Sequence, residues 1–268
     1  SVQASFGSKT EEISRVNEQT SAGTENLNAD ATQTSSKQTI SNLARQLAAS
    51  ASRAEARDKM LSRSELADKA NSLLDQILGD AYQANKAKYN NEVPKTDDPE
   101  LLARAKQATE FVTSSDRGSR SVKNPFGSLS REQLSNIIYD DSGNYTINER
   151  RAAYYESDDR EQAWRVKVAA QAMDEYNRTG KMTNFFSSVL DHFKELPTIE
   201  QAQYPKDYAS DLESKISRDF NYRTHQAEGK SENPMNLIEM LLSSNPAAAK
   251  HSDSLLPVLQ FLSNDRQE

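Results

Sequence analysis

The chain has 268 residues, with 33 basic and 40 acidic side chains, a formal charge of −7 and no cysteine. Only 35% of residues are hydrophobic and mean hydropathy is −0.86, against the roughly 45–50% apolar content (glycine included) of ordinary globular domains. The missing thiols exclude zinc ribbons, iron–sulfur centres, thiol nucleophiles and CxxC redox pairs, while the acidic balance argues against a general nucleic-acid binder, which presents a basic face.

Eight glycines and eight prolines are too few for a β-sandwich or barrel, which needs a turn signal every ~8–12 residues. The expected class is all-α, a multi-helix bundle-like domain with narrow apolar stripes and a disordered or loosely attached N-terminal arm. No apolar run approaches the ~20 residues that span a bilayer. The chain begins at Ser1 rather than methionine, which is compatible with a removed leader, although no signal peptide is visible.

Residues 1–35 are rich in Ser, Thr, Gln, Asn and Glu. Such a composition cannot bury enough apolar surface to offset ordering entropy, so a disordered arm is expected. The first ten residues mix Ser with small apolar residues and lack an acidic group, and in this they resemble the N-terminal signals of type III secreted effectors.

A helical region is expected over 36–113. Ile40, Leu43, Ala44, Leu47, Ala51 and Ala54 recur at spacings of three and four. Ser62–Glu65 forms a capping-box pattern opening a helix through Leu66, Leu73, Leu74, Ile77, Leu78 and Tyr82. Asp98-Pro99-Glu100 opens the next helix, with an acceptor at the cap and proline at the first helical position. Residues 114–128 contain Gly118, Pro125 and Gly127 and read as a flexible, protease-sensitive connector.

A second helical domain is expected over 129–268. Ser130–Gln133 is another capping-box pattern, and Thr146–Glu149 a third, opening a long helix over 148–178 that serves as the spine. Its stripe Trp164, Val168, Ala172 and Tyr176 steps by four, and Gly180 ends it. Thr183 is expected to cap a helix carrying Phe185, Phe186, Val189, Leu190 and Phe193, and Tyr208, Leu212, Ile216 and Phe220 mark another. Leu237–Leu242 and Leu255–Leu262 are further apolar stretches.

Between the second and third capping boxes lies Asp140-Asp141-Ser142-Gly143-Asn144-Tyr145-Thr146-Ile147-Asn148-Glu149, which resembles a degenerate EF-hand loop. With Gly143 at the sixth position, the resemblance makes Asp140, Ser142, Asn144 (through its carbonyl) and Glu149 calcium ligands. The pattern departs at the first position, where Ile138 has no side-chain oxygen. A register starting at Asp140 restores that ligand but puts Tyr145 at the glycine position and Arg151 at the terminal glutamate. The alternative is a tight turn, with Ile137–Tyr139 and Tyr145–Ile147 paired as a tiny hairpin and Glu149 completing the capping box.

Other chemistry is sparse. His192, Asp191 and Glu195 fall within one helical turn, where His192 and Glu195 share a face, but a half-exposed structural histidine reads better. Glu195, Glu200, Asp207, Asp211 and Glu213 offer carboxylates for a glycosidase-like pair, although acidic residues are common throughout. No GxSxG, GxxxxGK[ST], GxGxxG or HExxH motif occurs, so no catalytic or cofactor-binding residue is assigned. Ten tyrosines suit a partner surface if exposed, or the edges of a thin core if not. The expected function is a non-enzymatic helical interaction protein, bacterial and exported, with an unidentified protein partner. The alternatives are a calcium-responsive protein and a secreted effector with an enzymatic C-terminal domain. The compartment, cytoplasmic or secreted, and the oligomeric state are not readable.

Overall fold

The computed structural model describes residues 27–229, with side chains from residue 42 onward. The apolar stretches at Leu237–Leu242 and Leu255–Leu262 lie outside the described residues, as does the expected arm up to residue 26. The fold is all-α, with one two-stranded antiparallel sheet among the described residues. The elements are α1 (Leu27–Met60), α2 (Arg63–Leu78), α3 (Asp80–Ala84), α4 (Lys86–Asn90), α5 (Pro99–Asp116), α6 (Arg131–Ile138), α7 (Ile147–Thr179), α8 (Thr183–Glu195), α9 (Thr198–Gln201), α10 (Tyr208–Arg218), β1 (Phe220–Asn221) and β2 (Gln226–Ala227). Residues 27–35, expected to close the arm, are the first turns of α1. The chain divides between Arg45 and Gln46 into two compact units.

Helix starts follow the capping chemistry. The Ser62/Glu65, Ser130/Gln133 and Thr146/Glu149 boxes all form reciprocally, and Asp98 accepts from the amides of Glu100 and Leu101 at 2.9 and 3.3 Å. Each box satisfies two of the orphan amides of a first helical turn. Gly180 ends α7 at φ 75, a left-handed conformation that costs glycine nothing.

Three expectations need correction. The helix expected to run through Tyr82 breaks after Leu78, because Gly79 is extended and α3 restarts at Asp80. A Cβ at Gly79 would lie 2.8 Å from the Asp75 carbonyl oxygen. Thr183 does not cap α8; the carboxylate of Glu175, from α7, accepts from the amides of Asn184 and Phe185 at 2.8 and 2.9 Å. Phe220 does not extend α10, since Asp219 at φ 48 turns the chain into β1. The hairpin is therefore at Phe220–Ala227, where Phe220 pairs with Ala227 and Asn221 with Gln226, and residues 137–147 form no strand pair.

Two apolar cores lie along α7. The larger gathers Leu66, Leu73, Leu74 and Ile77 of α2, Ala108, Phe111 and Val112 of α5, Leu134, Ile137 and Ile138 of α6, and Ala152 and Ala153 of α7. The smaller holds Val168, Ala169 and Ala172 of α7 against Phe185, Phe186, Val189 and Leu190 of α8 and Tyr208 and Leu212 of α10. The 114–128 segment, expected to be a flexible connector, contributes Phe126 to the larger core at 1% exposure. There Asn124 donates to the Ala152 carbonyl at 2.8 Å and accepts from the Phe126 amide at 3.0 Å. No division between compact units falls at this segment.

Candidate functional site

The loop read as EF-hand-like joins α6 to α7, and its carboxylates are engaged by basic side chains, Asp140 and Glu149 by arginines and Asp141 by Lys69 at 2.7 Å. Asp140 Oδ2 accepts from Arg53 Nε and Nη2 at 3.1 and 2.7 Å. Its Oδ1 accepts from the Ser142 amide at 2.9 Å and from the Ser142 hydroxyl. The Asn144 amide donates back to Ser142 Oγ at 3.2 Å, and the Asn144 carbonyl accepts from Gln46 at 3.4 Å. Glu149 takes Arg104 Nε at 2.7 Å on Oε2 and the Thr146 amide at 3.0 Å on Oε1. Asp140 and Ser142 thus meet in an Asx turn, while Glu149 serves the capping box and an ion pair. Among the described residues, no group of three or more His, Asp or Glu side chains is placed to hold a metal ion.

The first turn of α7 is polar yet buried on every side, with Asn148 at 0%, Glu149 at 1%, Arg150 at 3% and Arg151 at 7% exposure. Asn148 accepts from the Tyr82 hydroxyl at 2.8 Å and donates to Asn90 at 3.0 Å. Arg150 donates to the carbonyls of Ile138 and Leu73, each at 2.9 Å, and to Gln76 at 2.7 Å. Arg151 donates to the Ile77 carbonyl and to Asp116 at 3.1 Å, and lies 4.1 Å over the Tyr82 ring. Four consecutive residues thereby tie the ends of α2 and α6 to α3, α4 and α5. At Ile77 and Ile138 these charge-assisted bonds satisfy helix-terminal carbonyls that the helix itself leaves open.

A second polar cluster occupies the seam between the two cores, halfway along α7. Glu161 accepts from Arg131 Nη1 at 2.8 Å and meets His192 Nε2 at 2.9–3.0 Å through both oxygens. The His192 ring stacks on Trp164 with centroids 3.6 Å apart. The other end of the Arg131 guanidinium lies 3.6 Å from Glu200 Oε1. Burial opposes ionisation of Glu161, but the His192 hydrogen bond and the Arg131 charge outweigh it and hold its pKa down at about 2. For Glu200 burial dominates over Arg131, and the neighbouring Glu161 charge adds to it, so the pKa is pushed up to about 7. Near neutrality the pair separates into a fixed anion and a proton carrier.

Arg165, one turn beyond Glu161, is buried at 7% exposure. Burial pushes the phenols of Tyr154 and Tyr204, which both interact electrostatically with it, up to about 12. They are therefore neutral at physiological pH.

Of the five carboxylates noted in sequence between 195 and 213, Glu200 joins this cluster, and Glu213 pairs with Lys194 at 3.8 Å. His192 turns to Glu161, and Asp191 and Glu195 are exposed. The cluster was missed in sequence because α6, α7, α8 and α9 each supply one or two residues. Its one sequence signal is Glu161 and Arg165 falling in the buried phase of α7, with Ser157 and Val168. No family model matches the chain, and no curated protein or solved structure shows a significant similarity to it.

Proposed function

We propose that this chain is a non-enzymatic helical interaction protein that offers the outward face of α7 to a protein partner. One observation carries the reading. Opposite the buried stripe, Ala163, Val166, Ala170 and Met173 are all exposed at three–four–three spacing, Val166 at 71% and Met173 at 39%. That spacing is the seam along which one amphipathic helix accepts another. The tyrosines do not supply this surface, since four are buried and the other six half-buried. A bacterial, exported origin is part of the proposal and rests on the composition of residues 1–10; fusing residues 1–40 to a reporter and measuring export tests it. No helix among the described residues is long and apolar enough to cross a membrane.

The central test replaces Val166 and Met173 by Asp, two exposed changes expected to shift stability by less than about 0.5 kcal/mol. Cross-linking and sedimentation of the wild-type chain should reveal a partner or self-association that the double variant loses. Equal behaviour of both proteins would refute the reading.

A second reading, an enzymatic C-terminal region, is favoured by Glu161 and Glu200 flanking one guanidinium with pKa values of about 2 and about 7. Hydrolysis of a chromogenic glycoside or ester that Glu200→Gln abolishes would support it.

A further inference from the structure

Arg165 presents an electrostatic problem that its neighbours leave open. The residue is 7% exposed, and its Nε and Nη1 are buried without a hydrogen-bond partner. Three carboxylates of this part of the fold leave Arg165 without a hydrogen bond. Glu161 is bound by Arg131 and His192, Glu200 is bound by Arg131, and Asp158, two turns back, interacts electrostatically without a direct ion pair. Arg131 Nε in the same seam is likewise unpartnered. A guanidinium keeps its proton in a protein, and a buried charge whose N–H groups have no hydrogen-bond partner is costly. Tyr154 and Tyr204, neutral phenols in the electrostatic field of Arg165, each bring a hydroxyl that can donate to an anion as well as accept. Glu200 Oε2 is also buried without a partner, but its carboxyl keeps its proton up to about pH 7 and so offers Arg165 no counter-charge below that pH.

We infer that Arg165 anchors an oxyanion-binding site, where the face of α7 bearing Tyr154, Asp158 and Arg165 meets Tyr204, and that it takes a carboxylate or phosphate group. The site is separate from the Val166–Met173 face, which lies on the exposed side of α7. Asp158 bears on selectivity, because its charge favours a small anion over a polyanion. Arg131, whose Nε is also unpartnered, acts electrostatically on the same Tyr204 as Arg165 does.

The sole tryptophan of the chain, Trp164, adjoins Arg165 and reports on the site. The full-length protein is titrated with sodium phosphate and, separately, with sodium acetate, against sodium chloride at matched ionic strength, following Trp164 emission and melting temperature. The expected result is a saturable emission change and a Tm rise of about 3–6 °C at ten times the half-saturating concentration. A response to phosphate alone identifies a phosphate site, and a response to acetate a carboxylate site. Arg165→Gln should abolish both responses and melt no lower than wild type in chloride, because it removes an unpaired buried charge; Arg165→Lys should retain a weakened response. No saturable change with either anion in the wild-type chain would overturn the inference, with no need of a variant. An undiminished response in Arg165→Gln would do so as well.

Discussion

Glu161 and Glu200 flank the same guanidinium, yet one stays ionised down to about pH 2 and the other keeps its proton to about pH 7. The two therefore act on stability in opposite directions. The lowered pKa of Glu161 contributes stability above its unfolded value of 4.5, and this is lost as pH falls towards 2. For Glu200 the advantage lies with the protonated form; it is complete below 4.5 and is lost as pH rises through about 7. The wild-type chain should thus lose on the order of 2 kcal/mol between pH 5 and pH 8, and Glu200→Gln should flatten that slope, as urea unfolding at stepped pH would record. A slope unchanged in the variant would assign the effect elsewhere. Asp140 is a different case, since its carboxylate already receives four hydrogen bonds from Arg53 and Ser142. Asp140→Asn should cost about 1–2 kcal/mol. Millimolar calcium should leave the wild-type Tm unchanged, whereas a calcium-dependent rise that Asp140→Asn removes would support the metal-loop reading.

Among the elements, the start of α7 shows how charge is used inside this protein. Arg150 donates to two carbonyls and a glutamine from α2 and α6 while only 3% exposed. Replacing it by methionine keeps the bulk but strands the Ile138 carbonyl and the Gln76 side-chain oxygen and removes a second bond to the Leu73 carbonyl, so a loss of about 3 kcal/mol in urea unfolding is expected. A loss below 0.5 kcal/mol would mean that water replaces the guanidinium. This turn also marks where sequence reading stops. The helix starts were legible because a capping box is local, with donor and acceptor three residues apart. The same turn was read only as a cap and metal loop, because Asn-Glu-Arg-Arg reads as solvated surface unless the surrounding carbonyls are known. Glu175 capping α8 is illegible for the same reason, as its amide partners come from the next helix. The α7 stripe was legible from its period, whereas the ring of residues around Glu161 depends on which helices happen to cross there.

Across the whole molecule, two cores share one helix and the segment before α6 is sewn into the larger of them. Phe126→Ala should cost about 3–5 kcal/mol, and limited proteolysis should then cut within residues 114–128 faster than in the wild-type chain. Cutting at the same rate in both proteins would show that the segment opens without unfolding. The 33 residues of α7 extend for about 50 Å, with the buried turn at one end, the smaller core towards the other and the Glu161 seam between them. Each residue of a helix advances the azimuth by about 100°, so the angular phase between Arg150 and Val168 is set by counting alone. Deleting one residue near Asp159 would swing the distal half by that angle and carry Val166 inward in place of Arg165. Inserting seven would return the phase to within about 20° while lengthening the rod by about 10 Å. Evolution along this stretch should therefore tolerate substitution far more readily than a change in length.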